Sequence, residues 1–227
     1  MKITYFGHSV IQVEANDKIL LFDPFITGNP VAEKITTADS LSPDVIILTH
    51  AHFDHWGDTL AIAERTGALV VGNHEITEYA YKQGHENVQP MNTGGSCTFE
   101  WGKLTQTYAR HSSSFPDGTY GGNPNGYLLF AEELCVYNSG DTSPFTEMAW
   151  IGEDHDIDLA FLPIGDLFTM GIQGALRAAR MLKPNLTVPV HFDTYPPIEA
   201  DTDAWQSSMS AVSLATRVLK PGESFDL

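Results

Sequence analysis

Cysteine and basic side chains are scarce in this chain of 227 residues, and long apolar runs are missing. The two cysteines, Cys97 and Cys135, lie far apart in the sequence, which argues against a disulfide scaffold and fits a reducing compartment. Every apolar run is far shorter than the roughly 20 residues that span a bilayer. Residues 1–6 have a strand-like pattern without signal-peptide features, so we expect a cytoplasmic protein.

Acidic residues outnumber basic ones by 29 to 12, which gives a formal net charge of −17. Proteins that track nucleic acid present a basic surface, because phosphate neutralisation dominates their affinity. The charge therefore argues against long nucleic acid and anionic membranes as partners. It leaves room for a small phosphorylated substrate, since bound divalent ions make a site locally positive. We expect a small-molecule substrate, and composition leaves open whether the chain forms a homo-oligomer.

Short apolar segments separated by turn signals predict an α/β fold. Strands are predicted at 2–6, 10–14, 18–22, 45–48, 69–71, 127–131, 134–138, 159–163 and 186–190, with a strand pair in 99–109 that turns at residues 102 and 103. Helices are predicted at 58–65, 76–82, 172–182 and 203–216. The strands come first along the chain, and helices lie between the later strands. This order indicates two β-layers with helices outside. Because no linker divides the chain, residues 1–227 are predicted to form a single domain, with a functional loop or a seam at 112–126.

One segment concentrates metal-binding side chains, and its sequence is His50-Ala51-His52-Phe53-Asp54-His55. Imidazole nitrogens and carboxylate oxygens are ligands that Zn²⁺ and similar ions prefer. The segment follows a predicted buried strand. If that strand continues through Thr49, His50 and His52 point to the same side of the sheet. The pattern predicts a metal site.

Three further candidate ligands, His111, Asp141 and His191, each follow a predicted strand. Strand ends on such scaffolds are where functional side chains gather. Taken singly, each has an ordinary alternative, because a lone histidine is often structural and Asp141 could form a turn or cap a helix. Together with the histidine-rich segment they predict a larger metal centre.

In this order, the candidate ligands resemble those of the metallo-β-lactamase-fold hydrolases. Segments 3–9, 23–25, 111–113 and 165–171 are similar to the UPF0173 branch, bacterial and archaeal proteins described only as metal-dependent hydrolases, which is similar to the ascorbate-phosphate lactonases. The resemblance covers nearly the whole chain. It implies an αββα sandwich of the metallo-β-lactamase type, in which two mixed β-sheets are flanked by helices and a dinuclear site lies between the sheets.

The resemblance also implies two divalent metal ions and a ligand set for each. One ion is expected to take His50, His52 and His111, the other Asp54, His55 and His191, with Asp141 bridging both. Zn²⁺ is the first expectation, and Mn²⁺, Fe²⁺ and Ni²⁺ are alternatives. A hydroxide between the ions is the expected nucleophile. The formal charges of two divalent ions, two carboxylates and one hydroxide sum to +1, which favours an anionic transition state.

Asp54 and His8 are the expected catalytic residues. Asp54 is expected to pass a proton to the leaving group. His8, in a turn between two strands, is expected to contact substrate or donate a proton, with a structural role as the alternative. Asp23 is expected either to hold the free N–H of a ligand histidine or to form a turn. Tyr195 and Thr169 are candidates for lining the pocket.

These features predict a metal-dependent hydrolase that cleaves a small ester, lactone or phosphoester. A phosphodiesterase or nuclease of the same fold is an alternative, and so is a metal-loaded module that binds a metabolite without consuming it. Redox chemistry at a diiron centre is a further alternative. His52 argues against it, because dioxygen-reducing relatives typically carry glutamate at the matching position.

Overall fold

The computed structural model describes all 227 residues, which form thirteen β-strands and six α-helices. The strands are β1 (Lys2–Gly7), β2 (Val10–Ala15), β3 (Lys18–Phe22), β4 (Val45–Ile47), β5 (Leu69–Asn73), β6 (Val88–Met91), β7 (Ser96–Phe99), β8 (Gly102–Tyr108), β9 (Asn125–Ala131), β10 (Leu134–Asn138), β11 (Leu159–Pro163), β12 (Leu186–Val190) and β13 (Ser224–Asp226). The helices are α1 (Phe53–Trp56), α2 (Thr59–Thr66), α3 (His74–Lys82), α4 (Met148–Asp154), α5 (Ile172–Leu182) and α6 (Thr202–Ala211).

The strands form two mixed sheets. The first has the order β13-β1-β2-β3-β4-β5-β6, and the second has the order β12-β11-β10-β9-β8-β7. Antiparallel pairing joins β13 through β3 in the first sheet and β7 through β10 in the second. The remaining neighbours pair in parallel. Each sheet thus joins a meander to a parallel part, and helices lie between most of the parallel strands.

Continuous apolar runs in the sequence become strands that are buried on both faces. Leu20 and Phe22 of β3 point into a core shared by the two sheets, whereas Leu21 points to the outer core of the first sheet. Val45 and Ile47 of β4 likewise face the shared core. Successive side chains of a strand point to opposite faces, so each of these strands buries one set in the shared core and the other in the outer core. This is why the apolar runs do not alternate with polar residues.

Helices α4, α5 and α6 cover the outer face of the second sheet. Helix α5 buries Ala175, Ala178, Ala179 and Leu182, a spacing that places them on one side of a helix. Helices α2 and α3 cover the first sheet in the same way. None of the helices combines the length and the apolar character that crossing a membrane needs. The layers therefore confirm the predicted αββα sandwich of two mixed sheets flanked by helices.

Several elements differ from the sequence prediction. Strands β6 and β13 were not predicted because both are short edge strands, one containing Pro90 and the other only three residues long. Helix α4 escaped prediction because it has seven residues, with Gly152 among them. Helix α6 ends at Ala211 rather than at residue 216, since Ser213 adopts the left-handed φ of 58°. The predicted strand pair is shifted, and its turn lies at residues 100 and 101.

Candidate metal centre

Six strands end at the same rim of the sandwich, and each is followed by a candidate functional residue. In the first sheet β1, β3 and β4 run in one direction, because the antiparallel β2 separates β1 from β3 and β3 pairs in parallel with β4. In the second sheet β8, β10 and β12 share a direction for similar reasons. The residues that follow these strands are His8, Asp23, the segment from His50 to His55, His111, Asp141 and His191.

The histidine-rich segment is not a continuation of β4, so strand alternation is not the reason that His50 and His52 point to the same side. Strand β4 ends at Ile47, and His52 is the N-terminal cap of the four-residue helix α1. This single helical turn brings Asp54 and His55 back toward the rim. The turn ends at Gly57, whose φ is 39° and whose position leaves no room for a Cβ, which would lie 2.5 Å from the Pro24 carbonyl oxygen.

Three histidines form the first group of ligand atoms. His50 Nε2 lies 3.0 Å from His52 Nδ1, and His111 Nε2 lies 3.2 Å from the same Nδ1. All three ligand atoms are within 4.8 Å of one another. His50 is fully buried, whereas the other two are partly exposed. The group contains the three residues expected for one metal ion.

A second group gathers Asp54, His55 and His191 together with His8, again with all ligand atoms within 4.8 Å of one another. His191 Nε2 lies 3.6 Å from Asp54 Oδ2. Asp54 is 16% exposed, whereas the three histidines are buried. This group holds the residues expected for the second ion, with His8 in addition.

Asp141 lies between the two groups. Its Oδ2 is 3.0 Å from His191 Nε2 and 3.3 Å from His55 Nε2, both in the second group. The same oxygen is 3.6 Å from His111 Nε2 and 3.9 Å from His50 Nε2, both in the first. One carboxylate oxygen therefore faces four imidazole nitrogens, an arrangement suited to bridging two cations.

Several polar atoms of the centre are buried without a hydrogen-bond partner. These are Oδ1 of Asp141, Nδ1 of His191, and Nε2 of both His55 and His191, which lie close to Asp141 Oδ2 but without hydrogen-bond geometry. A buried polar atom that lacks a partner is costly, so native proteins rarely leave several together. The donor set of imidazole and carboxylate is the one that Zn²⁺ and related ions bind. The residues present thus fit a metal centre.

The carboxylates of the centre are held in their ionised form. Burial alone would raise the pKa of Asp141, but His191 and His55 hold it well below its usual range. Burial also opposes ionisation of Asp54, and the neighbouring imidazoles of His191 and His8 keep its pKa below the usual range. The pKa of His50, in contrast, is lowered well below its usual value by burial and by the nearby His55. Ionised carboxylates and a neutral imidazole are the forms that ligate metals.

The carboxylates in and beside the centre also favour the protonated, positively charged form of two of its imidazoles. Burial favours a neutral imidazole, yet the Asp141 carboxylate raises the pKa of His191 to about 9. Against the same effect of burial, Asp141 and Asp23 raise the pKa of His55 well above its usual value. A divalent cation would replace these protons.

Asp23 contacts His55, as expected for the first of its two predicted roles, the support of a candidate ligand. Its Oδ2 lies 2.9 Å from Nδ1 of His55 and accepts a hydrogen bond from the Thr49 hydroxyl at 2.8 Å. The backbone N–H of Thr49 donates to Oδ1 of the same carboxylate at 2.8 Å. The Thr49 oxygen is also 3.0 Å from His50 Nδ1. Two ligand candidates are therefore held through one carboxylate and one hydroxyl, and Thr49 was not singled out from the sequence.

His8 lies behind Asp54 rather than at the open side of the centre. It is 1% exposed, and both ring nitrogens have protein partners. Nε2 lies 3.0 Å from Asp54 Oδ2, and Nδ1 lies 2.8 Å from the Thr194 hydroxyl oxygen. Contact of His8 with substrate stays a prediction, and its placement favours support of Asp54.

The polar loop 112–126 is connected to the centre through serines. The Ser113 hydroxyl accepts from the Ala51 N–H at 3.1 Å and donates to the Gly121 carbonyl at 3.0 Å.

Tyr195 lies with its ring 6.5 Å from that of His8, and its hydroxyl donates to the Gly28 carbonyl. The Thr169 hydroxyl donates only to the carbonyl of Met170 next to it in the chain, at 3.4 Å.

Comparison with known proteins adds independent findings. A family model described as a beta-lactamase superfamily domain matches residues 19–192. A UPF0173 metal-dependent hydrolase of Salinibacter ruber is 50% identical over 224 residues, which cover 98% of each chain. A protein of the same description from Shouchella clausii is 49% identical over 232 residues, and the match covers 100% of both chains.

A solved structure supports the same grouping. Igni18, described as a novel metallo hydrolase from the hyperthermophilic archaeon Ignicoccus hospitalis, superposes with a TM-score of 0.90 at 39% sequence identity. The match covers 100% of this chain and 98% of Igni18. The likeness therefore extends over the whole sandwich, including the rim that carries the candidate ligands.

Proposed function

Because this chain belongs to the β-lactamase superfamily and, within it, to the UPF0173 metal-dependent hydrolases, we propose that it uses two divalent metal ions to hydrolyse a small ester, lactone or phosphoester. The observation that carries the proposal is the position of Asp141 Oδ2, which lies within 3.9 Å of two imidazoles from each ligand group. A site for one ion would need only one of these groups.

The proposed ligand sets follow the two groups. His50, His52 and His111 would hold one ion, Asp54, His55 and His191 would hold the other, and Asp141 would contact both. When bound, two such ions polarise the carbonyl or phosphoryl oxygen of the substrate and activate water for attack. Zn²⁺ suits this donor set best, and Mn²⁺, Fe²⁺ and Ni²⁺ are alternatives that availability decides.

Asp54 is the proposed proton carrier. It is 16% exposed, against 3% for Asp141, so it is the carboxylate of the centre with access to a substrate. Its Oδ2 is engaged by His8, and Oδ1 is then the atom that can take a proton and release it to a leaving group. The neighbouring His191 and His8 keep the carboxylate ionised, which is the form that binds a metal ion.

The proposed setting and substrate follow from composition and charge. Cys97 and Cys135 are both free thiols, which fits a reducing cytoplasm. The charge of −17 disfavours long nucleic acid, so the proposed substrate is a small molecule. Two divalent ions against the two carboxylates Asp54 and Asp141 leave the centre positive, which favours substrates that develop negative charge.

The test is turnover of an aryl ester, several lactones including a sugar lactone, and an aryl phosphodiester. Each is offered to metal-loaded protein and to chelator-stripped protein. The proposal predicts metal-dependent turnover of at least one class, with most of it lost in His55→Ala and in Asp54→Ala. The matched control is His74→Ala, which changes an exposed histidine at the start of α3 and should keep full turnover.

Other outcomes separate the alternatives. Cleavage of only the phosphodiester would favour a phosphodiesterase. Metal-loaded protein that binds a metabolite without consuming it would contradict the hydrolase and favour a binding module. Equal turnover by stripped and loaded protein, or by His55→Ala and the unmodified protein, would also contradict the proposal.

A further inference from the structure

His8 and Thr194 form a buried hydrogen-bonded pair that ends on Asp54. Thr194 is 5% exposed and His8 is 1% exposed. The Thr194 oxygen lies 2.8 Å from His8 Nδ1, and His8 Nε2 lies 3.0 Å from Asp54 Oδ2. Three side chains from distant parts of the sequence are thus linked in a row, and only the last of them belongs to a proposed ligand set.

The position of each proton in this row follows from the chemistry of its ends. An ionised carboxylate can only accept hydrogen bonds, so His8 must carry its proton on Nε2 to bond Asp54. In a neutral ring Nδ1 then has a free lone pair, and the Thr194 hydroxyl must donate to it. The other acceptor near this hydroxyl, the Phe192 carbonyl, is more distant at 3.4 Å.

The segment that carries Thr194 contacts His8 twice. His191, three residues before Thr194, donates its backbone N–H to the His8 carbonyl at 2.7 Å. The rings of His8 and His191 lie 4.0 Å apart. His8 itself adopts the left-handed φ of 56° in the turn between β1 and β2. Such a conformation is costly for a residue with a side chain, and it aims the ring at Asp54.

We propose that Thr194 is a positioning residue, whose hydroxyl donates to His8 Nδ1 and holds the ring so that its Nε2–H keeps the Asp54 carboxylate in the orientation that a metal ion requires. The inference rests on the proposed metal centre, because it assigns Asp54 to a ligand set. Oδ2 is held by His8, and the same oxygen lies 3.6 Å from Nε2 of His191, another residue of the proposed ligand set. His8 then acts through Asp54 and does not bind metal itself, although its Nε2 lies within 4.8 Å of the other ligand atoms of that group.

The direct test is the protonation pattern of His8 in the Zn²⁺-loaded protein. Long-range ¹⁵N–¹H correlation spectra of protein labelled with ¹⁵N-histidine distinguish a proton on Nε2 from one on Nδ1, and the signal that disappears in His8→Asn identifies His8. The inference predicts a proton on Nε2. A proton on Nδ1, with Nε2 shifted as a metal ligand is, would overturn it.

A variant series tests the role of the hydroxyl. Thr194→Val keeps the shape and removes the hydroxyl, whereas Thr194→Ser keeps the hydroxyl. We expect Thr194→Val to weaken binding of the more weakly held Zn²⁺ by roughly 10–100-fold, the usual effect of losing a group that orients a ligand. Thr194→Ser should recover most of this loss. Thr187→Val is the matched control, because Thr187 is buried in β12 with a hydroxyl that has no partner.

The outcomes separate this inference from the proposed function. If unmodified protein binds no metal, the proposed function fails, and the inference fails with it. If unmodified protein binds two Zn²⁺ ions and Thr194→Val binds them equally well, only the inference is overturned. A loss in Thr194→Val that Thr194→Ser does not recover would also overturn it. Unfolding midpoints of all variants show whether a change in affinity reflects a loss of folding.

Discussion

Nδ1 of His55 lies 2.9 Å from Oδ2 of Asp23, and both side chains are completely buried. This contact places a proton on Nδ1, and Nε2, which lies 3.3 Å from Asp141 Oδ2, is the nitrogen left to bind a metal ion. A histidine that binds metal through one nitrogen commonly donates its other N–H to a carboxylate, which fixes the ring and raises its basicity. The pair therefore connects a residue at the end of β3 with the metal chemistry proposed for the helical turn after β4.

Replacing Asp23 with asparagine tests this contact. Asp23→Asn keeps the shape of the side chain but presents an amide, so it no longer fixes the proton on His55 Nδ1. We expect Zn²⁺ affinity to fall by about 10–100-fold, measured by competition with a chromophoric chelator. Asp158→Asn is the control, because Asp158 accepts a backbone hydrogen bond from Cys135 outside the centre. Equal affinity in the two variants would contradict the assigned role.

The Thr49 hydroxyl joins His50 to the same carboxylate. It donates to Asp23 Oδ2 and can accept the Nδ1–H of His50 at 3.0 Å. Thr49→Val should therefore weaken metal binding, whereas Thr49→Ser should retain it. The control is Thr107→Val, which alters a buried hydroxyl that has no partner. Calorimetric titration with Zn²⁺ would measure all three, and a Thr49→Val variant that binds like the control would argue against the network.

Metal removal should lower stability. The centre buries Asp141, His55 and His191, each with a polar atom that lacks a hydrogen-bond partner, so a bound ion favours the folded state. At free Zn²⁺ about 1,000 times the dissociation constant, the gain in unfolding free energy is roughly 4 kcal/mol per site. Thermal unfolding with Zn²⁺ and with chelator measures the shift. The same midpoint under both conditions would contradict a metal centre in the folded chain.

Gly57 tests how the ligand segment is anchored. A Cβ at this position would lie 2.5 Å from the Pro24 carbonyl oxygen and 2.6 Å from Phe25 Cα, in the segment that follows Asp23. We expect Gly57→Ala to destabilise the chain by about 2 kcal/mol or more, because backbone strain and overpacking add. Gly67→Ala is the matched control for Gly57→Ala, because Gly67 also has a positive φ but has open space around it. Urea unfolding should show the larger loss for Gly57→Ala, and equal losses would refute the close approach.

The sequence predicted most of the fold because the relevant signals are local. Apolar runs such as 18–22 and 159–163 are long enough to mark buried strands, and α5 carries a clear one-sided pattern. The short edge strand β13 carries no such signal, because only its pairing with β1 makes it a strand. A pattern can therefore identify elements that bury their own side chains, but not those that depend on a distant partner.

The candidate site was predicted in composition but not in its supporting contacts. Spacing drew attention to the segment from His50 to His55, yet the reason that its side chains converge is the helical turn α1 and not a continued strand. Asp23 was proposed as a support because it ends a strand. Thr49 and Thr194 could not be found, since a threonine becomes a support only through neighbours that lie 26 and 186 residues away in the chain.

The most direct test of the account is the number of metal ions that one chain binds. Protein saturated with Zn²⁺ and dialysed is analysed for zinc by mass spectrometry, alongside His52→Ala and the exposed-histidine control His74→Ala. The account predicts two Zn²⁺ ions per chain in the unmodified protein and the control, and about one in His52→Ala, which removes a ligand from the first group only. A single ion in the unmodified protein, or an unchanged count in His52→Ala, would contradict the dinuclear centre.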